Sequence, residues 1–411
     1  MNKIELLSPA GSFEKLKTAF TYGADAAYMG LKNFSLRTNA KNFCLEEAEQ
    51  IRKLKEEFKK KLYCTVNIFF HESDIDKLSS QIEEMKQYPF DAFIISDIGI
   101  LDIMKKNFPQ AEMHLSTQAN CINAHSAKCY ADMGFDRVIL GRETPITEIR
   151  RIRDMNPDLG IEVFAHGAMC MSYSGRCFLS SHLTGRSANQ GDCAHTCRWA
   201  YRLALEEESR PGRYFPIEEE DGYTTIMSSK DLCMIDHLKD LIDVGVDSIK
   251  IEGRMKSTYY VATVTRAYRK ALDYLYDGVT DYKPFRDELF NVSHRDYSTG
   301  FFYSDKPIED DDINKPASDG YLRDYLFLGT IEDEVKPGIW KIDIKNQIKS
   351  GSEVEYIGPD VLAIKDSSME VMDSDFNRVE HIDHCNDGYI SSSLPLKKGW
   401  IVRQEIKNTE K

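Results

Sequence analysis

Short apolar segments alternate with longer amphipathic segments along the first 280 residues of the chain. This alternation is typical of repeated βα units, and it constrains the fold more than any other feature of the sequence. Strands are predicted at Ile4–Ser8, Ala26–Gly30, Leu62–Ile68, Ala92–Ser96, Met113–Thr117, Arg137–Gly141, Ile161–His166 and Ser248–Glu252. Helices are predicted to begin near Ser12, Leu45, Ser73, Ile98, Asn123, Pro145, Asp231 and Ser257. These units favour a (β/α)8 TIM-type barrel, an α/β fold with its active site at the C-terminal ends of the strands, over a doubly wound open sheet.

One phrase recurs where a predicted helix meets the next strand: Gly23-Ala24-Asp25, Gly134-Phe135-Asp136 and Gly245-Val246-Asp247. A glycine that ends a helix in the left-handed region suits the short connection that such units need. The recurrence therefore predicts a barrel of quasi-repeating units. At another junction, Thr144 is predicted to cap a helix whose first residue is Pro145.

The bulk properties bound the class of protein. Hydrophobic residues make up 42% of the 411 residues and charged residues 29%, as in ordinary soluble proteins of two or three domains. No apolar run approaches the roughly 20 residues that cross a bilayer, and no secretory signal is recognised, so we expect a cytoplasmic protein without a membrane segment. The net charge of −14 argues against a surface coated for nonspecific nucleic-acid binding but allows a local basic patch. No GxGxxG or Walker sequence follows the first strand, so nucleotide binding gains no support.

Four of the ten cysteines lie close together, at Cys170, Cys177, Cys193 and Cys197. Their spacing is C-x6-C-x15-C-x3-C, and Cys233 follows in the run Ser228-Ser229-Lys230-Asp231-Leu232-Cys233. In a reducing compartment, clustered thiols serve a metal ion, an iron–sulfur cluster or catalysis more often than disulfides. The spacing is not that of a zinc ribbon, so a metal ion, a cluster and incidental buried thiols all remain open at this point.

The cysteines lie in an excursion of about residues 167–230 after the seventh predicted strand, which would place them over the mouth of the barrel. Residues 1–280 are predicted to form the catalytic barrel, and residues 281–319 are interpreted as a polar linker. Residues 320–411 are predicted to form a small all-β barrel domain that helps to recruit the substrate. Its strands are predicted at Tyr325–Ile331, Gly338–Ile344, Glu353–Tyr356, Val361–Lys365 and Trp400–Gln404.

The segment from Glu162 to Ser180 resembles the signature of the collagenase-like peptidases of unknown catalytic type, peptidase family U32. The residues that carry this resemblance are Phe164, Gly167, Cys170, Gly175, Cys177 and Ser180. It extends to the opening Leu7-Ser8-Pro9-Ala10-Gly11, the turn Gln190-Gly191-Asp192-Cys193, the strand end Lys250-Ile251-Glu252-Gly253-Arg254, and the C-terminal β-domain. The resemblance implies an oxygen-independent hydroxylase that acts on the wobble uridine of tRNA, a cytidine of ribosomal RNA or the ubiquinone ring. The chain length and the β-domain are most similar to the branch that makes 5-hydroxyuridine in tRNA.

The same resemblance implies a four-iron four-sulfur (4Fe-4S) cluster held by four cysteines, and prephenate as the oxygen donor. Five cysteines match the positions of the family's ligands. The first choice is Cys170, Cys177, Cys193 and Cys233, because Cys233 lies in the run that matches the fourth ligand, and Cys197 is the substitute. The other cysteines are predicted to be packing residues: Cys44, Cys64, Cys121, Cys129 and Cys385.

Polar side chains follow the predicted strands at the end where barrel enzymes collect catalytic groups. They are Asn67, Asp97, Gln118, Arg142, Glu143, His166, Glu252 and Arg254, and for each a salt bridge or cap is an equal explanation. Arg142 and Arg254 are expected to clamp the carboxylates of a dicarboxylic donor. His166 or Glu143 is expected to move the proton on the uracil ring, although a lone histidine is as readily structural.

RNA contact is predicted for the aromatic and basic residues of the insertion, where a flipped uridine would stack on a ring while arginines meet phosphates. These residues are Tyr173, Arg176, His182, Arg186, Arg198, Trp199, Tyr201 and Arg202. For Trp199 and Tyr201 the alternative role is to pack the insertion onto the barrel, and this role is favoured for Trp199. Substrate binding is assigned to Asn67, Gln118, Arg176, Arg186, Arg198 and Glu252, with tRNA and a small oxygen donor as the expected partners.

Two rival functions come from other classes. The first rival is a peptidase. The chain contains neither an HExxH nor a GxSxG sequence, so a peptidase of this sequence would have to use Cys170 and His166 as a Cys–His nucleophilic pair. A noncatalytic RNA-binding module stabilised by zinc is the second rival, and the identity of the metal separates it from the hydroxylase.

Overall fold

The structure is a computed structural model of the chain. It describes residues 3–31, 34–35, 43, 45–170, 172–199, 204–206, 214–216, 229–278, 281–304, 322–384 and 386–406, with the backbone alone for 204–206 and 214–216. Four residues that the sequence singled out lie outside these ranges: Cys44, Tyr201, Arg202 and Cys385.

The strands are numbered in chain order. They are β1 (Glu5–Pro9), β2 (Ala26–Gly30), β3 (Lys61–Val66), β4 (Ala92–Ile95), β5 (Glu112–Leu115), β6 (Arg137–Ile139), β7 (Gly160–Ala168), β8 (Ala204–Glu206), β9 (Tyr214–Pro216), β10 (Asp231–Cys233), β11 (Ser248–Ile251), β12 (Tyr297–Ser298), β13 (Tyr325–Lys336), β14 (Ile339–Ile344), β15 (Ile348–Lys349), β16 (Val354–Ile357), β17 (Ile364–Asp366), β18 (Glu370–Met372), β19 (Arg378–Val379), β20 (His381–Ile382), β21 (Gly388–Ser391) and β22 (Ile401–Glu405).

The helices are numbered in the same way. They are α1 (Phe13–Thr21), α2 (Ala48–Phe58), α3 (Glu72–Met85), α4 (Leu101–Asn107), α5 (Ala124–Met133), α6 (Ile146–Met155), α7 (Leu179–Thr184), α8 (Leu238–Asp243), α9 (Thr258–Asp277) and α10 (Lys283–Asp287). Single 3-10 turns lie at Leu45–Glu47, Ile98–Ile100, Thr117–Ala119, Ala188–Gln190, Thr196–Arg198, Ile235–His237 and Glu288–Phe290.

Strands β1 to β7 and β11 form a closed parallel barrel. Each of β1 to β6 pairs with the next strand in parallel, and β11 pairs in parallel with both β1 and β7. Ser248 lies opposite Glu5 on one side and opposite Glu162 on the other, which closes the ring. The prediction of a (β/α)8 barrel is confirmed, and all eight of its strands lie where the sequence placed them.

The repeated glycine–aspartate phrase has a structural basis in this barrel. Gly23, Gly134 and Gly245 have φ of 101°, 93° and 85°, the left-handed region that a helix end requires. The aspartate two residues later accepts a hydrogen bond from the backbone amide of the second residue of a neighbouring strand. The three bonds are Leu6 N to Asp25 at 3.0 Å, Met113 N to Asp136 at 2.8 Å and Ile161 N to Asp247 at 2.8 Å. The quasi-repeat therefore satisfies backbone donors at the N-terminal ends of the strands.

Charged side chains replace aliphatic ones in part of the barrel interior. Glu162 is fully buried, and its carboxylate accepts from Lys250 Nζ and Arg137 Nη1, each at 3.0 Å. Arg137 also donates to Glu5 Oε1 at 2.6 Å, and Tyr63 donates to Glu5 Oε2 at 2.7 Å. Each buried charge thus has an opposite charge within hydrogen-bonding distance, as burial demands.

The predicted helix near Asp231 is wrong. Residues 231–233 form β10, which pairs antiparallel with β7, and helix α8 begins only at Leu238 after a 3-10 turn. The Asp231 carboxylate is buried and accepts from the Arg295 guanidinium at 2.6 Å and from the Arg295 backbone amide at 3.1 Å. This ion pair with a residue distant in sequence holds residues 231–233 in an extended conformation, and the local sequence pattern could not predict it.

The helix start after Thr144 also differs from the prediction. Pro145 occupies the cap position with ψ of 160°, and α6 begins at Ile146. The Thr144 hydroxyl donates to Gly141 O at 2.8 Å, so it closes the preceding turn instead of capping the helix.

The C-terminal part is all β, as predicted. Its main sheet has eight antiparallel strands in the order β17-β16-β22-β13-β14-β21-β18-β19, and β15 pairs with β20. Leu328, Trp340, Tyr356 and Val402 belong to its own hydrophobic core. This separate core identifies the region as a folding unit distinct from the barrel.

Buried polar contacts join the two units. Arg403 is 1% exposed and donates to Glu355 Oε2 at 2.8 Å and to Glu288 Oε1 at 3.0 Å. Tyr22, the residue that follows α1, donates to Ile357 O at 2.9 Å. Residues 281–304, within the stretch interpreted as a linker, contain α10, β12 and the carboxylate of Glu288. Among the described residues, no helix has both the length and the apolar character to span a membrane.

Candidate functional site

A cavity of about 580 Å³ lies at the C-terminal ends of the barrel strands. Its walls come from the strand ends and from the cysteine-rich insertion, which closes over it. The strand ends supply Tyr28, Thr65, Asn67, Gln118, Arg142, Glu143, Phe164, Lys250, Glu252 and Arg254. A volume in this range suits a small co-substrate together with one nucleobase.

Four of the clustered cysteines line this cavity: Cys170, Cys177, Cys193 and Cys197. All four are free thiols, and the backbone amide of His195 donates to Cys193 Sγ at 3.4 Å. Burial raises the pKa of the Cys197 thiol, Arg198 lowers it, and the charges of Cys170, Cys193 and Cys177 raise it again. The thiols are therefore close enough to repel one another as thiolates, and a bound cationic centre would relieve that repulsion.

The donor set fits a cluster in type and number. Four thiolates are the ligands that a four-iron four-sulfur cluster takes, and all four face one cavity. Among the described residues, no three or more His, Cys, Asp or Glu side chains are already gathered as a metal site. The four thiols thus share a wall of the cavity without having converged to ligand distances.

Cys233 lies apart from these four thiols. It lines a second cavity of about 250 Å³, together with Asp236, Arg286 and Tyr297. In the antiparallel ladder of β7 and β10 it lies opposite His166, and burial raises its pKa to about 11. The first-choice ligand set from the sequence is therefore divided by this structure, whereas Cys197, the substitute, lies with the other three.

His166 is also outside the main cavity. Its ring is 1% exposed and lies 5.3–6.0 Å from the rings of Tyr260, Tyr268 and Tyr297. Nδ1 is 3.4 Å from the Tyr268 hydroxyl, and Nε2 has no hydrogen-bond partner among the described residues. Burial lowers the pKa of His166 to about 3, so the imidazole is neutral near neutral pH. Neither the proton transfer nor the Cys–His pair expected from the sequence gains support from this placement.

The two arginines expected to clamp a donor both line the cavity. Arg142 donates to Glu252 Oε2 at 3.0 Å, and its guanidinium carbon lies 3.7 Å from the centre of the Phe164 ring. Arg254 is 3% exposed and donates to Thr65 Oγ1 at 2.8 Å. A methyl group at Gly30 would come within 2.2 Å of Arg254 Nη1, so only glycine leaves room for this side chain.

Glu143 anchors the insertion to the end of β6. Its carboxylate accepts from the Ser174 backbone amide at 3.2 Å and from the Ser174 hydroxyl at 3.1 Å, and the Asn120 amide donates to it as well. Beside this anchor, a methyl group at Gly175 would lie 2.0 Å from Gln118 O. The backbone of the insertion therefore packs directly on the β5 end of the barrel.

The six residues predicted to bind substrate divide into two groups. Asn67, Gln118, Arg198 and Glu252 line the cavity. Arg176 and Arg186 are exposed and are not among its lining residues, and Arg186 Nε donates to Asp192 at 2.9 Å. The cavity thus receives four of the six, and the other two lie on the surface of the insertion.

The other residues predicted to contact RNA include exposed rings. Tyr173 is 65% exposed and lines the cavity, and Trp199 is 46% exposed. This exposure does not favour the role of Trp199 in packing the insertion onto the barrel. His182 is exposed on α7, and Phe178, which the sequence reasoning missed, is 74% exposed.

Lys250 is the most informative residue that sequence reasoning missed. It lines the cavity, it is 3% exposed, and it lies two residues before Glu252 on the last barrel strand. The two-residue alternation of a strand puts both residues on one face, which was the available signal. Phe301 and Ser304, from the stretch interpreted as a linker, also line the cavity, and no local pattern pointed to them.

Comparison with known proteins gives consistent relatives. The sequence profile of Peptidase family U32 matches residues 11–312. The tRNA hydroxylation protein P1 of Bacillus subtilis (strain 168) is 36% identical over 386 residues, which cover 93% of this chain and 90% of that protein. The tRNA hydroxylation protein P of Escherichia coli (strain K12) is 35% identical over 400 residues, 87% of each chain. A protein named Collagenase from Porphyromonas gingivalis (strain ATCC BAA-308 / W83) is 31% identical over 375 residues, again 87% of each chain.

Proposed function

The chain belongs to peptidase family U32, and we propose that it is an RNA-modifying hydroxylase of that family. Its proposed reaction is the hydroxylation of carbon 5 of the wobble uridine in tRNA, without molecular oxygen. The observation that carries the proposal is that four thiols and two arginines line one cavity at the barrel mouth. Relatives named for tRNA hydroxylation cover most of this chain, which supports tRNA as the substrate.

Cys170, Cys177, Cys193 and Cys197 are the proposed ligands of a four-iron four-sulfur cluster, because they share the cavity wall. Such a cluster supplies a one-electron redox centre beside the substrate. Cys233 is the competing fourth ligand, and it lines the second cavity, whose lining residues include none of the other four thiols.

Arg142 and Arg254 are proposed to bind the carboxylates of the oxygen donor, for which prephenate is the candidate. Guanidinium groups recognise carboxylates through paired hydrogen bonds, and the Arg142 guanidinium lies against the Phe164 ring of the cavity wall. Glu143 lines the same cavity and is the proposed acceptor of the uracil proton in place of His166.

The exposed arginines and rings of the insertion are proposed to hold the RNA. Arg176 and Arg186 face solvent, where they can meet phosphates, and Tyr173 links the exposed surface to the cavity. A uridine that leaves its stack could place its ring against Tyr173 while the backbone stays outside.

Three alternatives differ in what they need from the cavity. Peptidase activity is favoured by the name of the Porphyromonas gingivalis relative, but it requires a base near Cys170, and His166 lies outside that cavity. Hydroxylation of a ribosomal cytidine or of a quinone ring would use the same groups on another substrate. A zinc-stabilised RNA-binding module would use the thiols without the arginines.

Iron and acid-labile sulfide, measured with a visible spectrum on protein purified without oxygen, test the cluster. We expect about four of each per chain with four cysteine ligands. Cys197→Ser should lower the iron content, and the matched Cys233→Ser should leave it near the wild-type value. The reverse result would restore Cys233 as the fourth ligand, and zinc without sulfide would refute the redox chemistry.

Nucleoside analysis of tRNA from a deletion strain tests the reaction itself. We expect 5-hydroxyuridine and its derivatives to disappear and to return with the wild-type gene. Arg142→Ala and Arg254→Ala should fail to restore the modification while keeping their iron. Unchanged 5-hydroxyuridine in the deletion strain would refute the proposed function, and a peptide-cleavage assay would then take priority.

A further inference from the structure

Lys250 is a buried amine at the floor of the cavity, and no role in hydroxylation accounts for it so far. Its Nζ lies 3.0 Å from Glu162 Oε1 and 4.4 Å from the centre of the Tyr28 ring. The side chain is 3% exposed, yet it forms part of the cavity wall. A molecule bound in the cavity would therefore meet this amine without intervening solvent.

The surroundings make Lys250 unlike a surface lysine. Burial lowers its pKa, and the carboxylate of Glu162 opposes that effect. Glu162 also accepts from Arg137 at 3.0 Å, so this buried carboxylate keeps a cationic partner when Lys250 is neutral. If the Lys250 proton moves to Glu162, the remaining ion pair of Arg137 and Glu5 keeps the charge of the barrel interior balanced.

Lys250 and Arg142 share one aromatic ring. Lys250 Nζ is 5.5 Å from the centre of Phe164, and the Arg142 guanidinium carbon is 3.7 Å from the same centre. Arg254 lines the same cavity. An amine beside carboxylate-binding cations is the arrangement that would receive a molecule with adjacent carboxylate and carbonyl groups.

We propose that Lys250 forms an imine with a 2-oxo acid bound in this cavity, with the carboxylate of the acid facing Arg142 and Arg254. The ammonium of Lys250 first passes a proton to Glu162, and the neutral amine then attacks the ketone carbon. The carbonyl oxygen, protonated twice, leaves as water. Overall, R-NH3⁺ and a 2-oxo acid carboxylate give R-NH⁺=C(R′)COO⁻ and one water, so atoms and charge balance.

This inference rests on the proposed function in that it names the chemical class of the co-substrate for the same site. The imine would hold the co-substrate in one orientation and make its 2-oxo carbon electron-poor. Glu162 is the base and acid of the imine-forming step, which explains a fully buried carboxylate in direct contact with the amine.

Reductive trapping tests the proposal without requiring hydroxylation. The full-length protein is incubated with pyruvate and sodium cyanoborohydride, and its intact mass and peptide map are measured. We expect one reduced pyruvyl adduct per chain, located on Lys250. Acetone, which lacks the carboxylate, should label that position at least about tenfold more slowly, because about 1.4 kcal/mol of arginine contact is lost.

Two variants provide matched controls. Lys250→Arg keeps a cation beside Glu162 but cannot form an imine, so the adduct should be absent while the unfolding temperature stays near that of the wild type. Lys256→Arg changes another lysine whose pKa burial lowers; its Nζ donates to Ser293 O at 2.9 Å, and it is not among the cavity-lining residues. This variant should retain the adduct on Lys250.

Labelling spread over surface lysines, or equal labelling of Lys250→Arg, would overturn the proposal. So would a folded Lys250→Arg protein that restores 5-hydroxyuridine at the wild-type level. Specific trapping in a protein whose deletion leaves tRNA unchanged would instead refute the proposed function while the imine site stands. The two failures are therefore distinguishable.

Discussion

Replacing Glu143 by alanine is expected to loosen the cysteine-rich insertion without unfolding the barrel. Two of the three hydrogen bonds that Glu143 accepts come from Ser174 of the insertion, at 3.2 Å and 3.1 Å. Hydrogen bonds to a charged group contribute about 1.5–3 kcal/mol each, and partial exposure reduces that value. We therefore expect the closed position of the insertion to lose about 2–4 kcal/mol, which raises its opening equilibrium by about 30- to 1,000-fold.

Hydrogen exchange followed by mass spectrometry measures this opening directly. The backbone amide of Ser174 donates to Glu143, so peptides covering residues 172–177 should exchange faster in Glu143→Ala by about the same factor. Peptides from the barrel strands should keep their wild-type rates. Glu148→Gln is the matched control, since it removes a partly exposed carboxylate whose only described ion pair is with Arg151 on the same helix.

Iron content distinguishes anchoring from proton transfer. If Glu143 positions the thiols, Glu143→Ala should lose iron in step with the faster exchange, whereas Glu143→Gln, which retains one acceptor, should lose less. Unchanged exchange at residues 172–177, with full iron content but no hydroxylation, would refute the anchoring argument and leave proton transfer as the role of Glu143.

The other predictions concern packing, the junction of the two units and pH. Gly175→Ala should impair docking of the insertion and reduce iron content, because φ is 71° and the new methyl group would lie 2.0 Å from a backbone oxygen. Gly185→Ala is the matched control, since φ is 73° but no atom lies within 4 Å of the new methyl group. It should lower the local stability by only about 1–2 kcal/mol. Arg403→Met should lower the free energy of unfolding in urea by about 3–5 kcal/mol, because it removes the buried guanidinium that binds the carboxylates of Glu288 and Glu355, and the exposed Lys398→Met should change it by less than about 1 kcal/mol. His166 has a pKa of about 3 when folded and about 6.5 when unfolded, so the unfolded state binds the extra proton and stability falls as pH drops from about 6.5 to about 3. The free energy of unfolding, measured by urea titration at several pH values in that range, should depend on pH by one proton less in His166→Phe than in the wild type. An equal pH dependence in the two proteins would contradict the buried, neutral imidazole.

Periodicity determined how far the sequence could predict the fold. Each barrel strand is a short run of buried apolar residues between amphipathic helices. Because every βα unit buries its strand in the same way, each strand can be recognised from its own local sequence. The helix predicted near Asp231 failed for the opposite reason. Its carboxylate is bound by Arg295, 64 residues away, and a contact of that separation leaves no trace in a local pattern.

The sequence predicted the residues at the mouth of the candidate site but not the buried residues or the grouping of the thiols. Residues just beyond the strand ends, such as Arg142 and Glu252, could be placed at the mouth because the barrel topology fixes where strands end. Distance along the chain could not show that Cys233 lines a different cavity from the other four thiols. A pattern of apolar residues could not predict that Lys250 is buried in the barrel either. A charged residue in that position is an exception to the pattern, and its ion pair with Glu162 offsets the free-energy cost of burying it.

The distribution of charge suggests how the site would divide its ligands. The cavity cations Arg142 and Lys250 each have a carboxylate 3.0 Å away, in Glu252 and Glu162. A polyanion would have to displace or approach these carboxylates, whereas a small acid adds only the one or two charges that the cations can share. Arg176 and Arg186 lie on the exposed surface of the insertion, where solvent screens the carboxylate of Asp192, which Arg186 contacts. Phosphates are therefore expected to stay on the outer surface, while the base and the small co-substrate enter the cavity.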